Sequence, residues 1–125
     1  MTRVMVGAAV VGLASACGLG TSPEVEVGLV GSIQAPDTVQ VGEAFLVTVT
    51  TSGPTACWSA ERTEVSVTGL GATIVPYDRH VEGYCPTEVV EIAHTAELVF
   101  DQTGIGVLEV VGRDGTGGEM DIAVE

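Results

Sequence analysis

The sequence predicts an all-β fold, a single antiparallel β-sandwich of seven or eight short strands. Apolar and polar residues alternate with a period of two in several segments, as in strands with one buried face. Turn-forming residues separate these segments, and the 125 residues include 17 glycines and 5 prolines. No segment with helical periodicity follows residue 16, which disfavours a mixed α/β arrangement.

The N-terminus has the features of an export signal. Arg3 precedes an unbroken run of 13 apolar and small residues, Val4 to Ala16. A transmembrane helix needs roughly 20 apolar residues, so this run fits the hydrophobic region of a signal peptide. We expect residues 1–16 to be removed, which leaves no transmembrane helix in the mature form.

The segment Leu13-Ala14-Ser15-Ala16-Cys17 resembles the lipobox of bacterial lipoproteins. The resemblance implies that Cys17 is diacylated and becomes the mature N-terminus, with residues 17–23 as a lipid-anchored tether. That family prefers leucine where this chain has Ala14. Gly18 differs from the aspartate that signals inner-membrane retention, which implies the outer membrane where a cell has one. The alternative is plain secretion after cleavage at Ala14-Ser15-Ala16.

The charge is strongly negative. Seventeen acidic residues face four basic ones, all arginine, and Arg3 leaves with the leader, so the mature chain has a formal net charge of −14. Such a surface repels phosphate backbones, and we expect neither nucleic-acid binding nor electrostatic adhesion to lipid. The simplest interpretation of the excess charge is solubility of an exported domain.

The cysteine count agrees with export. If Cys17 carries lipid, Cys57 and Cys85 remain as an even pair in an oxidising compartment, and we expect a disulfide between two loops. A two-thiol metal site is the alternative, although paired C-x-x-C spacing is missing. We expect Trp58, beside Cys57, to cover the sulfurs. Trp58 and Tyr84 form the predicted binding surface for an envelope protein or glycan of unknown identity.

The predicted domain spans residues 24–125. Alternation begins at Glu24 and stops at Pro36. Residues 36–53 resemble the opening of Ig-like β-sandwich domains of bacterial extracellular proteins, in which a short strand ends at a Val-Gly-Glu turn and a longer strand follows. The resemblance implies an Ig-like sandwich, an architecture that hosts many functions. In the longer strand we expect the core to receive Phe45, Val47 and Val49.

The middle of the chain is predicted to contain two strands and two loops. Residues 57–62 are expected to form a loop, followed by a strand through Val65 and Val67. Residues 72–77 predict another strand, and Pro76 argues for a position at a sheet edge. Residues 78–87 are expected to be a polar loop.

The last third predicts three further strands. In residues 88–100 one parity is apolar except for His94, which we expect either at a bulge or inside with a hydrogen-bonded partner. A turn at 101–104 precedes a strand over 105–111. A hairpin connection begins at Arg113, and the final strand has Met120, Ile122 and Val124 on one face.

One cluster suggests a metal site. Asp78, His80 and Glu82 stand at alternate positions, so on an extended backbone they share a side, and carboxylates with imidazole can bind divalent metals. The spacing also approaches an EF-hand loop but has Val89 where the bidentate glutamate belongs. A solvated polar loop explains the same residues. An extracytoplasmic metal-binding protein is thus the second functional hypothesis.

The sequence disfavours catalysis. It has no lysine, no G-x-S-x-G elbow and no phosphate-binding loop, and the expected pairing leaves no thiol for nucleophilic attack. A hydrolase would need His80 or His94 in a cleft beside a serine or carboxylate. We therefore expect a non-enzymatic binding or structural module without a cofactor at the cell envelope.

Overall fold

The computed structural model describes residues 23–125. Nine strands form two sheets, which confirms the all-β sandwich with one or two strands more than predicted. The strands are β1 (Glu24–Val27), β2 (Leu29–Gln34), β3 (Thr38–Val39), β4 (Phe45–Gly53), β5 (Trp58–Thr68), β6 (Gly71–His80), β7 (Val90–Leu98), β8 (Gly104–Val110) and β9 (Gly118–Val124). One 3₁₀ turn, Arg113–Gly115, connects β8 and β9.

The two sheets differ in size. The smaller sheet has the order β2-β4-β7 and is antiparallel throughout. The larger sheet contains six strands, with β5, β6, β8, β9 and β3 side by side. Its β6–β8 and β3–β9 pairs are parallel, so this sheet is mixed.

The chain changes sheet at Gly28. β1 pairs with β6 in the larger sheet, and β2, which follows directly, pairs with β4 in the smaller one. A Cβ at Gly28 would lie 2.6 Å from Thr51 Cγ2 and 2.7 Å from Asp78 Oδ2. The crossing therefore requires glycine because the backbone passes directly against two buried side chains.

β6 is a central strand, so the edge position predicted from Pro76 is wrong. One side of β6 pairs with β5 along the whole strand; the other pairs with β8 over residues 71–74 and with β1 over residues 77–80. Pro76 lies at the gap between these two partners, and its carbonyl accepts a hydrogen bond from the Gly28 N–H, 2.8 Å away. The missing N–H of proline falls on this same side, where no ladder bond is lost.

The loop predictions around the cysteines need correction at their boundaries. β5 begins at Trp58, so residues 58–62 are strand and only the turn before them is irregular. β6 continues to His80, which places Asp78 and His80 in a strand and shortens the polar loop to residues 81–89. The single strand predicted from Glu24 up to Pro36 is divided at Gly28 into β1 and β2, which lie in different sheets. The remaining predicted strands agree with the structure within a few residues.

The core lies between the sheets. Val47, Val49 and Leu98 of the smaller sheet meet residues of the larger one, and Phe100 packs against Phe45 with ring centroids 5.8 Å apart. The predicted inward parity of β4, β7 and β9 is confirmed. The larger sheet contributes the remaining buried side chains, among them Ile74, Leu108, Val110, Ile122 and Val124.

The sandwich has two distinct ends. We call one the disulfide end; it contains Pro23 and the connections at residues 54–57, 81–89 and 111–117. The far end contains the turns at 40–44, 69–70 and 99–103, together with Glu125. The chain therefore enters the fold at the disulfide end. No helix within residues 23–125 is long and apolar enough to cross a membrane.

Candidate functional site

A disulfide joins Cys57 and Cys85, as predicted. The S–S distance is 2.03 Å, and the Cα atoms are 5.6 Å apart. Cys57 lies in the turn before β5 and Cys85 in the loop between β6 and β7. The bond therefore fastens the longest irregular segment, residues 81–89, to the body of the larger sheet.

Trp58 and Tyr84 differ in their environments although both lie next to the disulfide. The Trp58 ring stacks on the His80 imidazole, with centroids 4.1 Å apart and an interplanar angle of 24°. Gly53 leaves room for this tryptophan, because a Cβ there would collide with Trp58 Cβ. Tyr84, by contrast, is 93% exposed. Trp58 is half-buried against His80, and only Tyr84 is fully available to a partner.

Glu26 organises a polar cluster beside this stack. Glu26 Oε1 accepts a hydrogen bond from Arg113 Nη1 at 2.9 Å, and Glu26 Oε2 lies 3.1 Å from His80 Nε2. The Arg113 guanidinium also lies 5.4 Å from the centroid of the Trp58 ring, within the range of a cation–π contact. Arg113 Nε is buried and has no hydrogen-bond partner within residues 23–125. The cluster holds the β8–β9 turn against β1 and β5.

The three residues of the predicted metal site do not come together. Asp78 is completely buried, and its carboxylate is hydrogen-bonded to Thr51 and His94. His80 bonds Glu26, and Glu82 is exposed in the loop beyond the end of β6. Within residues 23–125 no group of three or more histidine, cysteine, aspartate or glutamate side chains could hold a metal ion.

His94 is inside the sandwich with a hydrogen-bonded partner. His94 Nε2 lies 2.7 Å from Asp78 Oδ1, and Thr51 Oγ1 donates to Asp78 Oδ2 at 2.6 Å. His94 Nδ1 lies 2.7 Å from Thr63 Oγ1. A carboxylate can only accept, so Thr51 and His94 are the donors to Asp78. The network joins β4 and β7 of the smaller sheet to β5 and β6 of the larger one.

The order Thr63–His94–Asp78 has the hydroxyl, imidazole and carboxylate of a hydrolytic triad, but it is not placed for catalysis. His94 is 2% exposed and Asp78 0%, so the imidazole lies in the core. A general base must come within hydrogen-bond distance of the proton that it abstracts from a substrate. The burial of His94 favours a structural role, because the network satisfies polar groups that would otherwise be costly in the core.

The three arginines of the described chain all lie in the half of the sandwich nearer the disulfide end. Each has a carboxylate partner: Arg62 with Glu64 at 3.0 Å, Arg79 with Glu61 at 4.0 Å and Arg113 with Glu26 at 2.9 Å. The hydrogen bond from Arg62 to Glu64 raises the pKa of that guanidinium. The turns of the far end carry carboxylates without an arginine in salt-bridge range among residues 23–125.

A mainly apolar depression opens at the disulfide end. Its volume is about 280 Å³. Its lining consists of Leu29, Ser52, Gly53, Pro54, Val89 and Arg113. A smaller depression of about 160 Å³ lies nearby and includes Pro23, Cys57 and His80 in its wall. The surface here therefore combines apolar side chains with two cations, Arg113 in the wall of the first depression and Arg79 in that of the second.

Sequence reasoning missed Glu26 and Arg113 and the pairing of Asp78 with His94. Only His94 gave a signal, since a histidine on an apolar parity requires a polar partner if it is buried. The identity of that partner depends on which strand faces β7 across the core. Glu26 and Arg113 are far apart in the sequence and occur among ordinary solvated charges, so no local pattern distinguishes them.

Comparisons with family models, with curated proteins and with solved structures find no match to this chain.

Proposed function

We propose that this chain is a small exported lipoprotein, whose β-sandwich is held at the cell envelope by lipid on Cys17 and acts as a binding or structural module. Cys17 and the leader lie outside the described residues. The observation that carries the proposal is the Cys57–Cys85 disulfide. Structural disulfides persist in oxidising compartments and are rare in the cytosol of most organisms.

The disulfide also bears on the role of the third cysteine, Cys17. Cys57 and Cys85 bond each other, so Cys17 is the remaining cysteine of the chain. It stands directly after the small residues that resemble a lipobox. A thiol at this position is explained by lipidation, whereas plain secretion gives it no role.

A binding or structural role fits the environments of the two histidines better than catalysis. His94 is buried in the core, and His80 is stacked under Trp58 and paired with Glu26. His80 lines the smaller depression together with Ser59, but its Nε2 is already bonded to Glu26 and its ring is covered by Trp58. The proposed contact surface remains the disulfide end, where Trp58 and Tyr84 flank the bond.

Intact-mass analysis combined with cell fractionation tests the proposal. The natively expressed protein should begin at Cys17, carry acyl chains and sediment with membranes. Cys17→Ala should still be exported through cleavage at Ala14-Ser15-Ala16 and should appear in the soluble extracytoplasmic fraction.

Thiol alkylation without prior reduction supplies the control for this experiment. Cys57 and Cys85 should resist alkylation in both forms, which shows that Cys17→Ala leaves the domain folded and oxidised. A product that retains residues 1–17, has three reactive thiols and lacks acyl chains contradicts the proposal.

A further inference from the structure

The disulfide end carries the two most exposed large apolar side chains of residues 23–125. They are Tyr84, 93% exposed, and Val89, 72% exposed. Both belong to the loop at 81–89, which the disulfide fastens to β5. Tyrosine combines an apolar ring with a polar hydroxyl and is enriched where membrane meets water. A fastened loop can present such side chains without the entropy loss of ordering a free one.

The neighbouring surface extends this apolar tip. Val89 and Pro54 line the depression of about 280 Å³, and Arg113 stands in its wall with its guanidinium held by Glu26. Long cationic side chains can cover apolar surface with their stems and place the charge at the headgroup level. Arg79 lies at the same end of β6 and is exposed. This end therefore has the residue types of a membrane interface.

The position of the chain entry brings this end near the membrane. Glu24 pairs with His80, and Trp58 pairs with His80 from the other side. Cys17 precedes Glu24 by seven positions, so an extended chain spans at most about 23–25 Å between their Cα atoms. The ten residues of β6 alone extend about 33 Å along the sandwich. An acyl anchor at Cys17 thus keeps the disulfide end closer to the bilayer than the far end whenever the domain stands upright.

We propose that the disulfide end is a membrane-contact surface, with Tyr84 and Val89 entering the headgroup region of the bilayer that holds the anchor. This inference rests on the proposed lipid anchor at Cys17. The partner is a phospholipid surface, and the contact is apolar, because Glu82 and Glu88 in the same loop oppose attraction by anionic lipid. Such a contact is weak alone and becomes populated because the tether supplies a high effective concentration.

Trp58 provides the probe, since it is the only tryptophan of the chain. The lipidated protein is placed in vesicles of phosphatidylethanolamine and phosphatidylglycerol that contain dansyl-labelled headgroups, and energy transfer from tryptophan to dansyl is measured. We expect efficient transfer from Trp58. The matched variant Trp58→Phe with Leu46→Trp moves the probe to an exposed position at the start of β4, near the far end, and should show clearly weaker transfer.

A second pair of variants tests the two side chains. Tyr84→Ser with Val89→Ser should lower the transfer from Trp58 towards the value of the relocated probe. Ile105→Ser, at an exposed apolar position near the far end, should leave it unchanged. Circular dichroism and intact mass confirm that each variant is folded and acylated.

The outcomes separate the inference from the proposed function. Acylated protein with equal transfer from both probe positions overturns the membrane contact and leaves the lipoprotein assignment standing. Unchanged transfer in the Tyr84→Ser, Val89→Ser variant shows that these side chains make no contact with the bilayer and also overturns the inference. A chain without acyl groups overturns the proposed function and this inference with it.

Discussion

Asp78 is fully buried in β6 and is held by hydrogen bonds from two strands of the opposite sheet. Thr51 and His94 supply those bonds, and Thr63 completes the network from β5. A buried carboxylate without partners is costly, so the arrangement stabilises the fold only while every member is present. The network also fixes how the two sheets face each other, because its bonds are directional.

Replacement of His94 by leucine should therefore destabilise the domain strongly. We expect a loss of about 3–5 kcal/mol in the free energy of unfolding, since Asp78 would keep its burial and lose a partner. Replacing both Asp78 and His94 by leucine should cost less than the sum of the single changes. Urea unfolding at neutral pH measures all three variants.

Thr95→Ala gives the control for this series. Thr95 is the exposed neighbour of His94 in β7, and its replacement should change stability by no more than about 0.5 kcal/mol. If His94→Leu behaves like Thr95→Ala, the network contributes nothing to folding.

Gly28 gives a second prediction for a single residue. Gly28→Ala should cost about 1–3 kcal/mol, because the added methyl group would overlap Thr51 and Asp78. Gly31→Ala is the matched control, since its nearest neighbour would be an ordinary 3.7 Å from the new Cβ. Thermal melting of the two variants compares them directly, and equal melting temperatures would contradict the close crossing at Gly28.

At the scale of the elements, the β6–β7 loop depends on one covalent bond. The disulfide closes a segment with a sequence separation of 28 residues. On the chain-entropy account, such closure contributes roughly 3–4 kcal/mol by restricting the unfolded chain. The surrounding loop makes few backbone hydrogen bonds of its own, among them Glu88 to Pro86 and Ala56 to Pro86.

Cys57→Ser with Cys85→Ser should lower the free energy of unfolding by that amount, roughly 3–4 kcal/mol, while β4, β6 and β7 stay folded at low temperature. Urea unfolding with and without dithiothreitol provides the measurement. The reductant should shift the midpoint of the wild-type domain and leave that of the double variant unchanged. A wild-type midpoint insensitive to complete reduction would show that the bond does not stabilise the domain.

The strands themselves were predictable wherever one face is buried. The alternation in β4, β7 and β9 is clear in the sequence because each has core on one side and water on the other. β5 was recognised only in part, since most of its side chains are exposed on both faces and leave no apolar period. Pro76 suggested an edge because the sequence does not show that the partner of β6 changes at that residue.

For the molecule as a whole, we expect the large negative charge to lower the free energy of unfolding. Seventeen acidic residues lie within residues 23–125, and some face each other directly, as do Glu109 and Glu119 across the β8–β9 hairpin. Like charges at opposed positions in a sheet are destabilising. Repulsion summed over the surface lowers the stability of the compact state, and salt screens it.

Stability should consequently rise with ionic strength. We expect the melting temperature to increase between about 0.01 and 0.15 M sodium chloride, as the Debye length falls from about 30 to 8 Å. Glu119→Lys should stabilise the domain at low salt by about 0.2–1 kcal/mol, and the gain should shrink as salt is added.

Glu43→Lys controls for the change in net charge. Glu43 is exposed in the turn between β3 and β4 and has no acidic residue opposite it in a strand pair. A gain from Glu119→Lys no larger than that from Glu43→Lys would mean that the opposed pair has no specific effect.

The sequence by itself determined the all-β class, most strand positions, the inward residues of the half-buried strands and the pairing of Cys57 with Cys85. These features follow from local periodicity, from turn-forming residues and from the number of cysteines, all of which are visible in the sequence without knowledge of long-range contacts. Only the tertiary structure decided the mixed order of the larger sheet, the crossing at Gly28, the burial of Asp78 against His94 and the entry of the chain beside the disulfide. Each of these depends on which distant segments meet, and the choice is made by packing of the whole core rather than by any one segment.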